Sequence, residues 1–594
     1  MNIFNLIYML GGLAIFLYGM ELMGKGLAKL AGGKLETLLE KLTSTTFTGI
    51  IVGAFVTAII HSSAATTVMV VGFVNSGIMK LSQAIGVIMG ANIGTTITAW
   101  ILSLSGISSN NIFLNMLEPK NFAPFFAFVS VIMILFIKNQ KINDIGNIIF
   151  GFSILMIGME TMTEAIKPLA DVPEFQEVLI KFNNPIIGIL LGAIVTAILQ
   201  SSTVSVGILQ ALCLTGSITY IVALPIIMGQ NIGTCITAIL SSFGASKNAK
   251  RAAAVHLLFN MFGTVIFLVL FYAIHFVRPF EFVNDVVNPA NIATIHTVFN
   301  VSCTIMLFPF AKILEKVTLL LIKDDENDVV LDDDFRLLDN RFLDMPSFAI
   351  EQAKTISFHM AELAKLSVDR TIDMYYNYKS NDFEEIEIIE QKVDIYYDKL
   401  NTYLLNINSN DLNDKDNKKL NIIINTINDF ERIADHSINI AEFLDKYHKK
   451  NIKFTKEADE ELSIFLNALK ELMELTINVF EKEDSILARN IEPLEEVIDL
   501  LNYEMKKRHL KRLRNSECSA ELGIVFSDLL TNYERIADHC SNIGISIIEI
   551  IESEYFVMHR YIDEIRMKDD AEFKVKYKTI REKYKLPKRE NLKK

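Results

Sequence analysis

The strongest constraint on this chain is that a long part of it is written twice. GAFVTAIIHSS at 53–63 reappears as GAIVTAILQSS at 192–202, and MGANIGTTITA at 89–99 as MGQNIGTCITA at 228–238. LYGME at 17–21 and MIGME at 156–160 hold the same register, an offset of 139 residues without a gap. Between Gly53 and Ser103 roughly 20 of 51 positions equal their partners, about three times what shared apolar bias produces. Two unrelated greasy helices would not keep one register over that distance, so a structural unit is used twice.

The repeated part is apolar enough to be embedded in lipid. Residues 1–322 contain long apolar runs with few charges, whereas the rest is dense in Asp, Glu, Lys, Asn and Ile. Only helices or closed barrels satisfy their backbone polar groups in hydrocarbon, so an all-α membrane domain is expected. Residues 3–23 are read as its first helix and not as a cleaved leader, because Glu21 and the glycines that follow do not resemble a cleavage site. Within one unit, 5–22, 84–104 and 122–137 can each cross a bilayer. Segments 47–60 and 64–79 flank the polar tip His61-Ser62-Ser63 and form a hairpin, which adds an even number of crossings. The unit then crosses an odd number of times, which predicts that the second copy is inverted. With the polar C-terminal half placed in the cytoplasm, ten Lys or Arg residues (among them Lys25, Lys80, Lys138, Lys247 and Arg251) fall in inside loops. Four (Lys120, Lys167, Lys181 and Arg278) fall outside, as the positive-inside rule requires. Hairpins 47–79 and 185–221 then re-enter from opposite faces and meet near mid-membrane, the plan of a secondary transporter. Helices at 253–277 and 290–321 complete the domain.

The tips HSSAATT (61–67) and QSSTVS (200–205) are uncharged. Serine and threonine hydroxyls, together with backbone N–H groups at a half-helix N-terminus, suit an anion without a fixed cation. ANIGTT (91–96) and QNIGTC (230–235) are expected to unwind locally and expose oxygens to a hard monovalent cation, which points to Na+ coupling. His61, standing where the second copy has Gln200, is a candidate pH-sensitive group. HLLFNMFGT (256–264) and HTVFNVSCT (296–304) share H-x-x-F-N-x-x-x-T, and helix–helix hydrogen bonding is the first expectation for both.

The polar half holds a second duplication, FERIADHSINI at 430–440 and YERIADHCSNI at 533–543, with Glu390 and Asp394 echoed by Glu495 and Asp499. Its length fits two three-helix bundles. Glu431 and Asp435, like Glu534 and Asp538, lie one turn apart on a helix face and make half of a metal site; Glu390/Asp394 and Glu495/Asp499 could complete each from a neighbouring helix. The net charge of −13 argues against nucleic acid as a partner. The five cysteines form no CxxC or zinc pattern, and no nucleophile–base set, phosphate loop or catalytic carboxylate pair points to an enzyme.

The doubled S-S tip, Q-S-S in the second copy, with the following G-x-N-I-G-T and the H-x-x-F-N helices, resembles bacterial sodium-dependent phosphate cotransporters of the type II Na/Pi family, over about residues 5–321. The resemblance implies phosphate held by Ser62, Ser63, Gln200, Ser201, Ser202 and Thr203, with Na+ near Asn92, Thr95, Thr96, Asn231 and Thr234. His61 replaces the family's usual Gln, and Ala64 a common third Ser. The E-R-I-A-D-H motifs resemble the PhoU family over about 346–555, which implies regulation of phosphate movement and a divalent or ferric metal at the eight acidic residues above. The expected layout is a membrane domain over 1–322, with repeat one at about 5–140, repeat two at about 144–245 and extra helices at 253–321. An acidic linker follows over 323–345, then a cytoplasmic PhoU-like domain over 346–585. The expected function is sodium-coupled phosphate symport across the plasma (inner) membrane. Transport of another oxyanion, phosphate export, or a membrane-anchored phosphate or metal sensor are the alternatives. Stoichiometry, direction, and whether the chain forms a homo-oligomer or takes a regulatory partner through its PhoU-like half stay open.

Overall fold

The computed structural model describes residues 3–31, 34–106, 118–168, 184–323, 333–408, 412–450, 454–552 and 571–587, with Met116 and Val172. Among them the chain is helical, with a single isolated bridge between Thr219 and Val286 and no strand. It divides into two compact units, Met1–Phe348 and Ala349–Lys594.

The first unit contains α1 (Ile3–Ala31), α2 (Lys34–Leu42), α3 (Thr46–Ile60), α4 (Ser63–Asn75), α5 (Leu81–Ser103), α6 (Pro119–Phe136) and α7 (Gln140–Ile166). It continues with α8 (Pro185–Leu199), α9 (Ser202–Cys213), α10 (Tyr220–Ser241), α11 (Lys247–Val277), α12 (Pro289–Leu307) and α13 (Ala311–Leu321). Among the described residues seven helical stretches are long and apolar enough to cross a membrane, and α3, α4, α8 and α9 are shorter apolar helices. The stretch read as one helix over 290–321 is broken by a 3-10 turn at Phe308–Phe310, because Pro309 has no N–H to continue the helix ladder.

The repeat is visible as paired elements. α1 and α7 are equivalent helices, and they pack on each other through equivalent glycines. A Cβ added at Gly12 would stand 2.9 Å from the Gly158 carbonyl oxygen, and one at Gly158 2.7 Å from that of Gly12. Gly19 and Gly151 form the same reciprocal pair. Since partner numbers fall as residue numbers rise, the two helices run antiparallel. Small residues permit this backbone approach, which is where packing energy in lipid comes from. Phe16, Leu102, Leu155, Met159 and Val204 fill the core beside it.

Residues 333–345, expected as linker, instead fold into two 3-10 turns, Asp333–Leu337 and Asn340–Asp344, and belong to the first unit. The acidic residues 324–326 and 332, and Lys181, lie outside the described residues.

The second unit holds α14 (Pro346–Tyr376, from Ala349 on), α15 (Asp382–Leu405) and α16 (Asp414–Lys449). After them come α17 (Lys456–Lys482), the short α18 (Ser485–Ala488), α19 (Ile491–Arg514), α20 (Ala520–Glu552) and α21 (Ala571–Lys583). Its core follows the 3.6-residue stripe: Ile423, Ile427, Phe430 and Ala434 on α16 are all buried. The duplicated motifs meet where His436 and His539 stack, 5.6 Å between ring centres. His436 Nδ1 contacts Asn532 Oδ1 at 3.0 Å and His539 Nδ1 contacts Asp429 Oδ1 at 2.8 Å, equivalent pairs across the repeat.

Candidate functional site: two serine-capped tips and two carboxylate clusters

Each hairpin tip is a break between two half-helices. α3 ends on His61 and α8 ends on Gln200, both in the left-handed conformation at φ 57° and φ 54°. Only four described non-glycine residues adopt positive φ, and two of them occupy this one repeat position. Such strain, of order 1–3 kcal/mol, persists only where the surroundings enforce it. The next residue caps the following half-helix: Ser62 Oγ accepts from Ala65 N at 3.1 Å, and Ser201 Oγ from Val204 N at 3.3 Å. Ser63, Ser202 and Thr203 are buried in the first turns of α4 and α9. Both tips therefore present a serine and the free N–H groups of a helix start.

Around the tips the copies differ. His61 Nδ1 lies 2.9 Å from Thr98 Oγ1. The equivalent residues Gln200 and Thr237 instead line a cavity of about 420 Å3, together with Ala64, Ala65, Val68, Leu240 and Ser241. The positions equivalent to Val68 and Ser241 are Gly207 and Leu102, and there the space is filled. Phe16 Cζ stands 2.8 Å, and Leu102 Cδ1 3.5 Å, from where a Cβ on Gly207 would be. Phe16 and Leu102 are fully buried.

The expected unwinding at 92–95 and 231–234 does not occur; α5 and α10 are continuous through both motifs. Their glycines serve packing. A Cβ on Gly94 would lie 2.4 Å from the Ala54 carbonyl oxygen, and one on Gly233 2.4 Å from that of Ala193. Thr95, Thr96 and Thr234 donate to carbonyls one turn back. Asn92 donates to Asn260 at 3.0 Å and Asn231 to Asn300 at 3.1 Å, so the H-x-x-F-N helices hold the motif helices as expected. Among the buried oxygens without a hydrogen bond are Thr196 Oγ1 on α8 and Gln230 Oε1 on α10, neither named as a site residue from the sequence. Gln230 opens the QNIGTC motif, whereas nothing in the residue pattern distinguished Thr196 from a packing residue.

In the second unit, ligand oxygens of Glu390, Asp394 and Asp435 lie within 4.8 Å of one another, as do those of Glu495, Asp499 and Asp538. Glu492 and Glu496, not singled out in the sequence, extend the second cluster. Burial raises the carboxyl of Glu390, with Asp394 and Asp435 adding to it; burial and Asp435 raise Asp394 and Glu431. Glu534 is raised by burial and by Asp538. Glu495 is pushed up to about 9 by burial, then by Glu492 and Asp499, and its Oε2 is buried without a hydrogen bond. Crowded carboxylates with an orphaned oxygen are the donor set a hard cation needs, so the two clusters fit a metal; Glu431 and Glu534, expected as ligands, belong to neither cluster.

The Na+/Pi-cotransporter family model matches residues 15–164 and again 154–276, and the PhoU domain model matches 358–444 and 462–547. The chain carries a Na+/Pi-cotransporter domain followed by a PhoU domain. Each domain is matched twice, as the duplications require. Members of this family are phosphate transporters, not enzymes. A Salmonella typhimurium protein provisionally named inorganic phosphate export protein YjbB is 24% identical over 552 residues, 92% of this chain and 98% of that relative. Bacillus subtilis YqeW, of uncharacterised role, is 27% identical over 310 residues, 52% of this chain and 95% of its own. Human sodium-dependent phosphate transport protein 2B is 31% identical over 134 residues, 22% of this chain and 19% of its own. No solved structure matches the chain.

Proposed function

We propose that this protein carries inorganic phosphate across the plasma membrane coupled to Na+, with phosphate held between His61-Ser62-Ser63 and Gln200-Ser201-Ser202. The carrying observation is the inequality of two equivalent spaces beside tips built alike: one, lined by Ala64 and Ala65 of the first tip and Gln200 of the second, is a cavity of about 420 Å3, and its counterpart is filled by Phe16 and Leu102. A carrier that exposes one site to alternate faces needs two halves that exchange these roles. The antiparallel packing of α1 on α7 through reciprocal glycines supports an inverted repeat, as does the placement of cationic residues. Phosphate would take the serine hydroxyls and helix-start N–H groups. For Na+, the buried oxygens of Thr196 and Gln230 join Asn92, Thr95, Thr96, Asn231 and Thr234 as candidate ligands. The PhoU-like unit, placed in the cytoplasm, regulates this movement; Glu390, Asp394, Asp435, Glu495, Asp499 and Asp538 would hold a divalent or ferric ion there. Export is the second reading, favoured by the YjbB relative that aligns over both domains.

Radiolabelled phosphate flux in proteoliposomes, with Na+ gradients imposed in each direction, tests the proposal. Net flux following the Na+ gradient is expected. Flux indifferent to Na+ would remove the coupling, and no flux at all would favour a sensor.

A further inference from the structure

The cavity below the tips is walled on one side by residues that are part of neither repeat. Arg341, Asp344 and Met345, from the turn just before the second unit begins, line it together with Gln200 and Thr237. This segment is tied down at several points. Asn75, the last residue of α4, donates to Asp339 at 2.6 Å, and its own oxygen accepts from Ser246 N, the cap of α11, at 2.8 Å. Arg341 Nε donates to the carbonyl of Ser241, the last residue of α10, at 2.7 Å, while its Nη1 holds Asp339 at 2.5 Å. Phe342 is fully buried against α4: a Cβ on Gly72 would stand 2.6 Å from its ring. Phe73 and Phe348 pack on it at 5.8 Å and 4.8 Å between ring centres. One short segment therefore fastens the first repeat's hairpin to the end of the second repeat's α10.

We infer that residues 339–348 are a latch, which bridges the two repeats and narrows the phosphate route on the face where α4 and α10 end. Two features argue for a latch over an anion-docking site. Arg341, the one cation lining the cavity among the described residues, is already neutralised by Asp339, and Asp344 adds a negative charge to the wall; both disfavour phosphate at that position. The bonds also join parts that must move relative to each other if the repeats exchange roles. α14 begins at Pro346, inside the latch, so a displacement of that helix pulls on it directly. The PhoU-like unit could thus regulate movement through chain connectivity.

The inference rests on the alternating-access reading, and its test separates the two. In full-length protein carrying Thr237→Cys, reconstituted in vesicles, labelling by a charged thiol reagent measures access to the cavity whatever the cargo. Arg341→Ala and Phe342→Ala are each expected to speed labelling about tenfold and to accelerate phosphate exchange. Unchanged labelling in both overturns the latch. Slower exchange with a raised KM in Arg341→Ala also overturns it, because Arg341 would then be a phosphate contact. Should Phe342→Ala not fold, a reversible cross-link between cysteines at Asn75 and Asp339 gives the converse: exchange lost on linking and restored by reductant. Exchange that survives linking refutes the proposal.

Discussion

Removing Phe16 should tilt the balance between the two faces. Its ring is fully buried and fills the space over Gly207 that the other repeat leaves open. In lipid the transfer of an apolar ring from one greasy surface to another contributes little, since there is no water to escape. What remains is the void. At about 24 cal/mol per Å3 of residual cavity, a void of roughly 80–100 Å3 left by Phe16→Ala costs about 2 kcal/mol in the observed conformation. A conformation that opens this side never used the ring as a plug and does not bear that cost. The equilibrium should therefore move about thirtyfold toward it, at tenfold per 1.4 kcal/mol. The assay is paired thiol labelling, Leu102→Cys on the filled side and Thr237→Cys on the open side, each with and without Phe16→Ala. Faster labelling at Leu102→Cys and slower labelling at Thr237→Cys are expected. Parallel changes at both would mean that the ring is only core packing, and no change at either would mean that the two sides are not coupled.

Ser62→Ala and Ser201→Ala each remove a helix cap at a cost of about 1 kcal/mol, too little to unfold the membrane unit. Phosphate flux should nonetheless fall at least a hundredfold in each; wild-type flux in either variant would make that serine a cap and nothing more. In the metal-free second unit Glu495 has a folded pKa of about 9 against an ordinary value of 4.5. The folded state therefore holds its proton where the unfolded state has lost it, and stability declines as pH rises between those values. The hydrogen-exchange protection factors of α19 in the full chain, with the intrinsic rise of exchange with pH divided out, should fall over that range; Glu495→Gln should flatten the slope, and Mn2+ should oppose it. A slope of the same size in Glu495→Gln would place its cause elsewhere.

The repeat, the tips and the acidic motifs could be read without coordinates because each rests on local periodicity or on identity at a fixed offset. Gly12, Gly19, Gly151 and Gly158 are visible in the sequence, but their reciprocal contacts are not, since helix–helix approach is a property of pairs distant in the chain. The expected unwinding at Asn92–Thr95 failed for a related reason. A glycine beside polar residues suits a broken helix, yet it equally suits a helix pressed against a neighbouring backbone, and only the position of α3 distinguishes the two.

What the sequence determined by itself was the duplicated architecture, the serine-bearing polar tips and the pairing of carboxylates one helical turn apart. Tertiary structure alone decided that the two equal tips are in unequal surroundings, with Phe16 filling one side and a cavity on the other. It also turned residues 333–345 from apparent linker into part of the membrane unit. The physical reason is the same in both cases. Local sequence sets backbone conformation and helix faces, whereas space is filled or left open by side chains that arrive from far along the chain.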